Sequence, residues 1–350
     1  MLVQLGDIGD VVLATPTIRA IKETHPHARL SVLVRKPYGS LLSADPNLGE
    51  VVETASIRGT VFHVIREYVR LARRLRQAQY DLVIDVRTGD RGAILSFLTG
   101  AACRVGRHGD EKPFWHDLLF TKIIRDPPVG PPTVHPGADQ SLRVVREIGI
   151  DTADSIPRLY VSPADHARAI ELLAELRLSP DERWVTINPF SRWKYKEWDS
   201  SKWKELIERV WEEHGLPVVL IGSQEDVAGC VDIVATARGR TLTLAGRTTL
   251  GELAAVIAMS TLHVGVDSAA PHIAAALGTP TVTIHGPTDW RAWRVVSDLH
   301  KIVTPTPNYV PRHRMGRDDT HQSRRLDLLG SETVLQTVDE VLRNLLRRSG

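Results

Sequence analysis

The sequence predicts an α/β protein of two Rossmann-like domains whose polar turns face a cleft. Short β-branched apolar runs alternate with helix-period segments, as in parallel sheets joined by crossover helices. Two strand ends, at Gly6 to Asp10 and at Asp267 to Ser268, lead through a polar turn into a helix. At 350 residues there is length for two domains, each able to bury its own core.

Composition narrows the class. With 42% hydrophobic and 25% charged residues, the chain has the balance of a soluble globular protein. No apolar run approaches the roughly 20 residues of a membrane span. No signal-peptide pattern opens the sequence, so a cytoplasmic location is expected. Cys103 and Cys230 are far apart and lack metal-ligand spacing, which argues against a disulfide framework or a zinc site. A formal net charge of +2 is too small to point to nucleic acid.

The first domain is expected over residues 1–160. Residues 3–5 make so short a strand that a few more residues before it are expected. Gly6 and Gly9 permit a tight turn, and a helix over residues 11–24 follows with Asp10 at its start. Asp10 reads either as a plain cap or as a general base at a helix N-terminus. Residues 30–34 alternate as a second strand, and 51–52 extend the sheet. Residues 61–80 form an amphipathic helix with Val61, Ile65, Tyr68, Val69, Ala72 and Leu75 as its apolar stripe. Arg66, Arg70, Arg73, Arg74 and Arg76 on its other face are either solvated or rest against anionic lipid. Residues 81–86 are a buried strand, followed by Arg87, Asp90 and Arg91 at the carboxyl end, where open sheets bind ligands. These side chains either bind an acidic acceptor or pair with one another. Residues 113–136, rich in proline and glycine and carrying Phe114 and Trp115, read as irregular.

The second domain is expected over residues 161–330. Ser162-Pro163-Ala164-Asp165 starts a helix that runs to Leu176. Residues 184–187 form a strand, and Ser191, Arg192, Lys194 and Lys196 lie in the loop after it. A lysine there can neutralise a diphosphate leaving group; for Lys194 the plain reading is an exposed side chain. Trp198 and Trp203 anchor this loop and a helix over Ser200–His214. After a strand at 218–222, Glu225 reads as a first-turn acid opposite a helix dipole. Residues 242–246 are a strand, and 245–248 suit one wall of an adenine site. Thr249 to Glu252 has capping-box form and opens a helix to Met259. The apolar run at 262–266 then meets Asp267 and Ser268, both good N-caps, with Pro271 in the first helical turn. That helix stops at Gly278, and 281–284 form the next strand. Asp267 and His272 put a carboxylate and an imidazole beside one helix N-terminus, which suits a sugar joined to a phosphate. The plain alternative is a capping Asp and a first-turn His. Trp290 and Trp293 either pack beside a donor or, as the plain reading, belong to the core. Residues 304–325 read as an irregular loop whose Asp318 and Asp319 lack a third carboxylate at ligand spacing, so no metal site is expected. A last amphipathic helix covers residues 331–346.

Three stretches carry a resemblance. Residues 264–289, VGVDSAAPHIAAALGTPTVTIHGPTD, resemble the D-[ST]-G-x-x-H-x-A-A-A-L-x-T-P block of the bacterial ADP-heptose:lipopolysaccharide heptosyltransferases, glycosyltransferase family 9. Gly9 to Pro16 is similar to the family's opening G-D-x-x-x-x-x-P, with Asp10 and Pro16 in register. Ser191 to Trp198, in the pattern S-R-W-x-x-K-x-W, resembles the branch that adds the side heptose, often called heptosyltransferase III. The resemblance extends over residues 3–346 and implies a GT-B fold, with the helix at 331–350 packing back toward the N-terminal domain. It implies an inverting, metal-independent transfer of L-glycero-D-manno-heptose from ADP-heptose to the inner core of lipopolysaccharide, with no cofactor. Asp10 would be the catalytic base, while Lys196 and Ser268 stabilise departing ADP. Glu225 would hold the donor ribose, Asp267 the heptose hydroxyls, and His272 the phosphate side. Arg87, Arg91 and Arg192 would meet the acceptor, and peripheral contact with the cytoplasmic face of the inner membrane would follow from its nature. Ala269 departs from the family, which usually has Gly there; its methyl group would crowd a phosphate that came close to the backbone.

The chain contains no G-x-G-x-x-G fingerprint, Walker A loop or G-x-S-x-G elbow. Two other classes remain open on the same scaffold. A non-catalytic nucleotide-sugar binder would bind without turnover, and an epimerase would convert the donor with no acceptor present.

Overall fold

The computed structural model describes residues 1–55, 60–109, 112–125, 135–179, 181–286, 288, 290–293, 295, 297–305 and 325–348. The chain divides into two compact units, Met1–Tyr160 and Val161–Gly350.

In the first unit the elements are β1 (Leu2–Gln4), α1 (Ile8–Leu13), α2 (Thr15–Thr24), β2 (Ser31–Arg35), β3 (Glu50–Thr54), α3 (Val61–Gln77), β4 (Leu82–Asp85), α4 (Asp90–Leu98), β5 (Cys103–Arg107), α5 (Phe114–Leu118), β6 (Lys122–Ile124) and α6 (Pro136–Arg146). The strands form one parallel sheet in the order β3-β2-β1-β4-β5-β6. Three expectations need correction. The single helix expected over 11–24 is broken at Ala14, because Pro16 has no N–H to offer the Val12 carbonyl; the Thr15 hydroxyl donates to it instead, at 2.8 Å. Asp7 is the N-cap of α1, so Asp10 is its third residue and not the residue that starts it. In α3, Tyr68, Leu71 and Leu75 face the core, whereas Ile65 and Val69 of the expected stripe are exposed. Residues 113–136 are also more regular than expected, since they hold α5, β6 and the first residue of α6.

The second unit contains α7 (Pro163–Glu175), β7 (Val185–Asn188), α8 (Ser200–His214), β8 (Val218–Leu220), α9 (Val227–Thr236), β9 (Thr241–Thr243), α10 (Leu250–Met259), β10 (Leu262–Val266), α11 (Ala269–Ala276), β11 (Thr281–Ile284), α12 (Trp290–Trp293), β12 (His300–Val303) and α13 (Ser331–Arg348). Its sheet is parallel as well, in the order β12-β11-β10-β7-β8-β9. Numbered from its own first strand, each sheet has the 3-2-1-4-5-6 order of a Rossmann fold.

Local signals set the helix ends. The Asp199 carboxylate accepts from Ser201 N–H at 2.8 Å to start α8, and Gly215 ends it at a φ of 64°. Thr249 and Glu252 bond each other's backbone N–H at the start of α10. The terminal helix α13, expected to pack toward the first domain, buries Val334, Leu335, Val338 and Leu342 in the core of the second unit, against α8, β11 and β12. Its buried Asp339 accepts from His214 Nε2 at 2.8 Å and from Arg209 Nε at 3.1 Å, both on α8. Asp339→Ala would strand two cationic or polar partners and is expected to cost about 2–4 kcal/mol. A lower urea midpoint with unchanged slope would show it; an unchanged midpoint would mean that α13 is held by its apolar face alone.

Candidate functional site

Each sheet reverses its strand order once, between β1 and β4 and between β7 and β10. Helices there leave for opposite faces, and a crevice opens beyond the carboxyl ends of the strands. The strongest sequence candidates of both units sit at these two places.

In the first unit, the Gln4 side chain shapes the turn after β1. Its Oε1 accepts from Gly6 N–H at 3.0 Å, and its Nε2 donates to the Asp10 carbonyl at 3.3 Å. A Cβ at Gly6 would lie 2.6 Å from the Asp10 Cβ, so the glycine is required by this close approach. Asp10 then points back along the turn. Its Oδ2 accepts from Asp7 N–H at 2.9 Å and its Oδ1 from the Arg87 guanidinium at 3.1 Å. Asp85, fully buried at the end of β4, accepts from Arg87 N–H at 3.0 Å and fixes where that arginine leaves the strand. Burial pushes the Asp85 carboxyl up to about 7, against the opposing pull of the Arg87 N–H and charge. Arg91, the second residue of α4, donates to Thr54 Oγ1 at 2.7 Å and to the Ala55 carbonyl. Asp90 pairs with Lys112 at 3.2 Å.

In the second unit, Asp267 follows β10 and is buried. Lys196 Nζ donates to its Oδ2 at 2.7 Å, the Thr288 hydroxyl donates to the same oxygen, and His285 Nδ1 lies 3.9 Å from it. Burial by itself would raise this carboxyl, but the charges of His285 and Lys196 and the bonds from Lys196 and Thr288 hold it well below the usual carboxylate range. Oδ1 has no partner among the described residues. Lys196 is delivered by a short 3-10 turn, Lys194–Lys196. Glu197 accepts from Ser191 N–H at 3.0 Å and from Lys194 Nζ at 2.9 Å, and the Trp198 indole, set edge-on to Trp203, donates to the Leu329 carbonyl at 3.2 Å. The two lysines are thereby separated, with side-chain exposures of 77% for Lys194 and 16% for Lys196.

Ser268 occupies the N-cap of α11, yet its hydroxyl does not cap. It donates to Asn188 Oδ1 at 2.8 Å, and Asn188 Nδ2 donates to the Ile221 carbonyl at 3.1 Å. Ala269 is the first residue of α11, half-buried and with a negative φ, so the backbone itself does not require glycine there. His272 lines a small cavity with Asp267, His285, Trp293, His300 and Lys301. Trp293 therefore lies beside the site and not in the core.

The remaining candidates are more exposed. In the turn after β8, Asp226 and not Glu225 takes the Ser223 N–H, at 2.8 Å, which leaves Glu225 exposed at the surface. A second cavity beside it is lined by Gln224, Val227, Ala245, Gly246 and Arg247. Arg192 is exposed, with its guanidinium 5.5 Å over the Trp193 ring. Asp318, Asp319 and Asp289 lie outside the described residues, among which no cluster of three metal-ligating side chains occurs.

The model of glycosyltransferase family 9 (heptosyltransferase) matches residues 68–320. Lipopolysaccharide heptosyltransferase 3 of Escherichia coli is 30% identical over 293 residues, covering 81% of this chain and 83% of that protein. The chain belongs to glycosyltransferase family 9. A second heptosyltransferase 3, from E. coli K12, is 29% identical over 95% of each chain, against 24% for heptosyltransferase 2 of Salmonella typhimurium. This chain therefore resembles the heptosyltransferase 3 branch of the family. Among solved structures, a family 9 protein of Veillonella parvula superposes with a TM-score of 0.81 at 18% identity, covering 98% of this chain and 96% of its own. E. coli heptosyltransferase WaaC with ADP gives 0.75 at 17% identity, covering 97% and 98%. These likenesses show the GT-B fold.

Four residues of this glycosyltransferase escape a reading of its sequence. Gln4, Asp85, Asn188 and Thr288 are polar residues at or just beyond strand ends, the one signal that marks them; Gln4 and Asp85 bond within their own turns, whereas Asn188 and Thr288 meet partners 80 and 21 residues away. Asp85 can be tested directly. Its folded pKa of about 7 lies above the ordinary value, so the folded chain keeps a proton that the unfolded chain gives up between about pH 4 and 7, and stability falls as pH rises through that window. Asp85→Asn should therefore raise stability by about 2–4 kcal/mol at pH 8 and by little at pH 4. Melting curves at the two pH values check this, and a gain independent of pH would contradict it.

Proposed function

We propose that this enzyme transfers L-glycero-D-manno-heptose from ADP-heptose to the inner core of lipopolysaccharide, with inversion and without a metal ion. The observation that carries the reading is the pair of half-buried Lys196 and buried Asp267 at the head of α11, in a chain related along most of its length to lipopolysaccharide heptosyltransferases. In the proposed step Asp10 accepts the proton of the acceptor hydroxyl as that oxygen attacks the anomeric carbon. The bond from that carbon to the β-phosphate oxygen breaks, and ADP departs with the electron pair. Arg87 meets the acidic acceptor beside Asp10, with Arg91 and Arg192 as further cations on the acceptor side. Lys196, the Ser268 hydroxyl and the N–H groups opening α11 take up the charge that develops on the diphosphate. Asp267, ionised and anchored through Oδ2, offers Oδ1 to heptose hydroxyls. His272 lies toward the phosphates, Glu225 accepts from the ribose, and Ala269 lines the phosphate side. The reaction takes place in the cytoplasm against the inner face of the membrane, and no described helix is long and apolar enough to cross that membrane.

Mass spectrometry of a heptose-deficient core oligosaccharide incubated with a panel of nucleotide sugars tests this reading. One heptose should be gained from ADP-heptose, with EDTA making no difference. Donor bound without transfer would mean a binder, and donor converted in the absence of acceptor an epimerase. Asp10→Asn should lower turnover by about 10² or more while ADP affinity, read by calorimetry, stays near that of the parent. Equal turnover would remove Asp10 from the mechanism.

A further inference from the structure

Half of the large apolar side chains exposed among the described residues lie on three consecutive helices of the first unit, α3, α4 and α5. On α3, Phe62, Ile65 and Val69 follow one another at i, i+3 and i+7 and share a flank, with exposures of 87%, 55% and 42%. Helix α3 packs on α4 through Tyr68, Leu71 and Leu75, and Arg76, seven residues beyond Val69, reaches Gly100 just past the end of α4, its Nε 3.7 Å from where a Cβ would stand. Ile94 and Phe97 of α4 are exposed in turn, and α4 packs on α5, where Phe114 and Leu118 are exposed at 85% and 71%. Single exposed apolar residues are ordinary, but a run across three adjoining helices marks a surface that something covers.

Charge selects what covers it. Helix α3 carries five arginines and one acid, Glu67, which is taken by Arg70 at 3.1 Å and Arg66 at 3.6 Å. Arg74 pairs with Glu50, while Arg73 and Arg76 have no carboxylate partner among the described residues. Arg104 lies 5.5 Å over the Phe97 ring, adding a cation on the α4 side. A second copy of this chain would bring the same positive fringe against it and be repelled. A bilayer rich in anionic headgroups meets both halves of the pattern, with arginines at headgroup level and aromatic side chains at the acyl boundary. We infer that the α3–α4–α5 face docks this enzyme on an anionic membrane surface, Phe62, Phe97 and Phe114 entering the interface and Arg66, Arg73 and Arg76 binding lipid phosphates. The inference deepens the proposed function, since an acceptor anchored in lipid is met where the enzyme is already held.

The test is co-sedimentation of the full chain with phosphatidylcholine vesicles, with and without phosphatidylglycerol. The parent should bind the anionic vesicles and leave the neutral ones largely free. Phe62→Ser with Phe97→Ser, and separately Arg66→Gln with Arg73→Gln, should each weaken binding at least about tenfold. Heptose transfer to a lipid-free core oligosaccharide should stay at the parent level in both double variants, which shows that they are folded. No binding by the parent, or variants that bind as the parent does, would overturn the inference. So would a parent that is dimeric in solution and variants that are monomeric, because the face would then join two copies. Vesicle binding that persists in a parent with no heptose transfer would uphold the surface and remove the transfer reading instead.

Discussion

A parallel sheet built outward from its first strand must reverse direction once, and both candidate sites depend on that constraint. Where β1 meets β4, and again where β7 meets β10, neighbouring helices depart to opposite faces and leave a crevice at the strand ends. Backbone N–H groups and short polar side chains collect there because the chain has to turn out of the sheet. In the first unit these are Gln4, Asp85 and Asp10; in the second they are Asn188, Asp267 and Ser268. The same rule, applied twice in one chain, produces a carboxylate held by an arginine in one unit and a carboxylate held by a lysine in the other.

The two carboxylates differ in how they are held, and the difference suits the parts proposed for them. Asp10 is bound by one backbone N–H and one half-exposed arginine, contacts that an incoming acceptor can loosen. Asp267 is buried, and its contacts converge on a single oxygen from a lysine, a threonine and a nearby histidine. Removing any one of these would leave a charge in a medium that solvates it poorly. A base has to change its proton count in each cycle, whereas a sugar-holding carboxylate has to keep the same one.

Much of this was legible in the sequence where the signal is local. The ends of α8 follow from Asp199 and Gly215, the start of α10 from Thr249 and Glu252, and α7 begins where Ser162-Pro163 says it should. The choice of Lys196 over Lys194 rested on resemblance alone, and the packing of Trp198 supplies its physical reason. Periodicity failed in α3, where an apolar stripe broader than the core contact leaves Ile65 and Val69 outside. It failed again at Ala14, because the break depends on one missing N–H that does not disturb the apolar pattern. Asn188 and Thr288 could not be singled out because what makes them matter is a partner brought in by strand order, and sequence distance hides it; Asp85 bonds only two residues on, and what marks it is a depth of burial that one more polar residue at a strand end does not announce.

One buried side chain gives the second site a further property. His263 lies in β10 four residues before Asp267, fully enclosed, with Nδ1 against the Thr186 hydroxyl at 3.1 Å; burial pushes its imidazole down to about 3, so it carries no charge at neutral pH. With Val264 and Val266 also buried, the ground beneath the Lys196–Asp267 pair is electrically silent and poorly polarisable. The field of that pair is therefore not absorbed by the protein below it and spreads toward water. An approaching diphosphate would be oriented before any atom touches, and the reach of that orientation would shorten as salt is added.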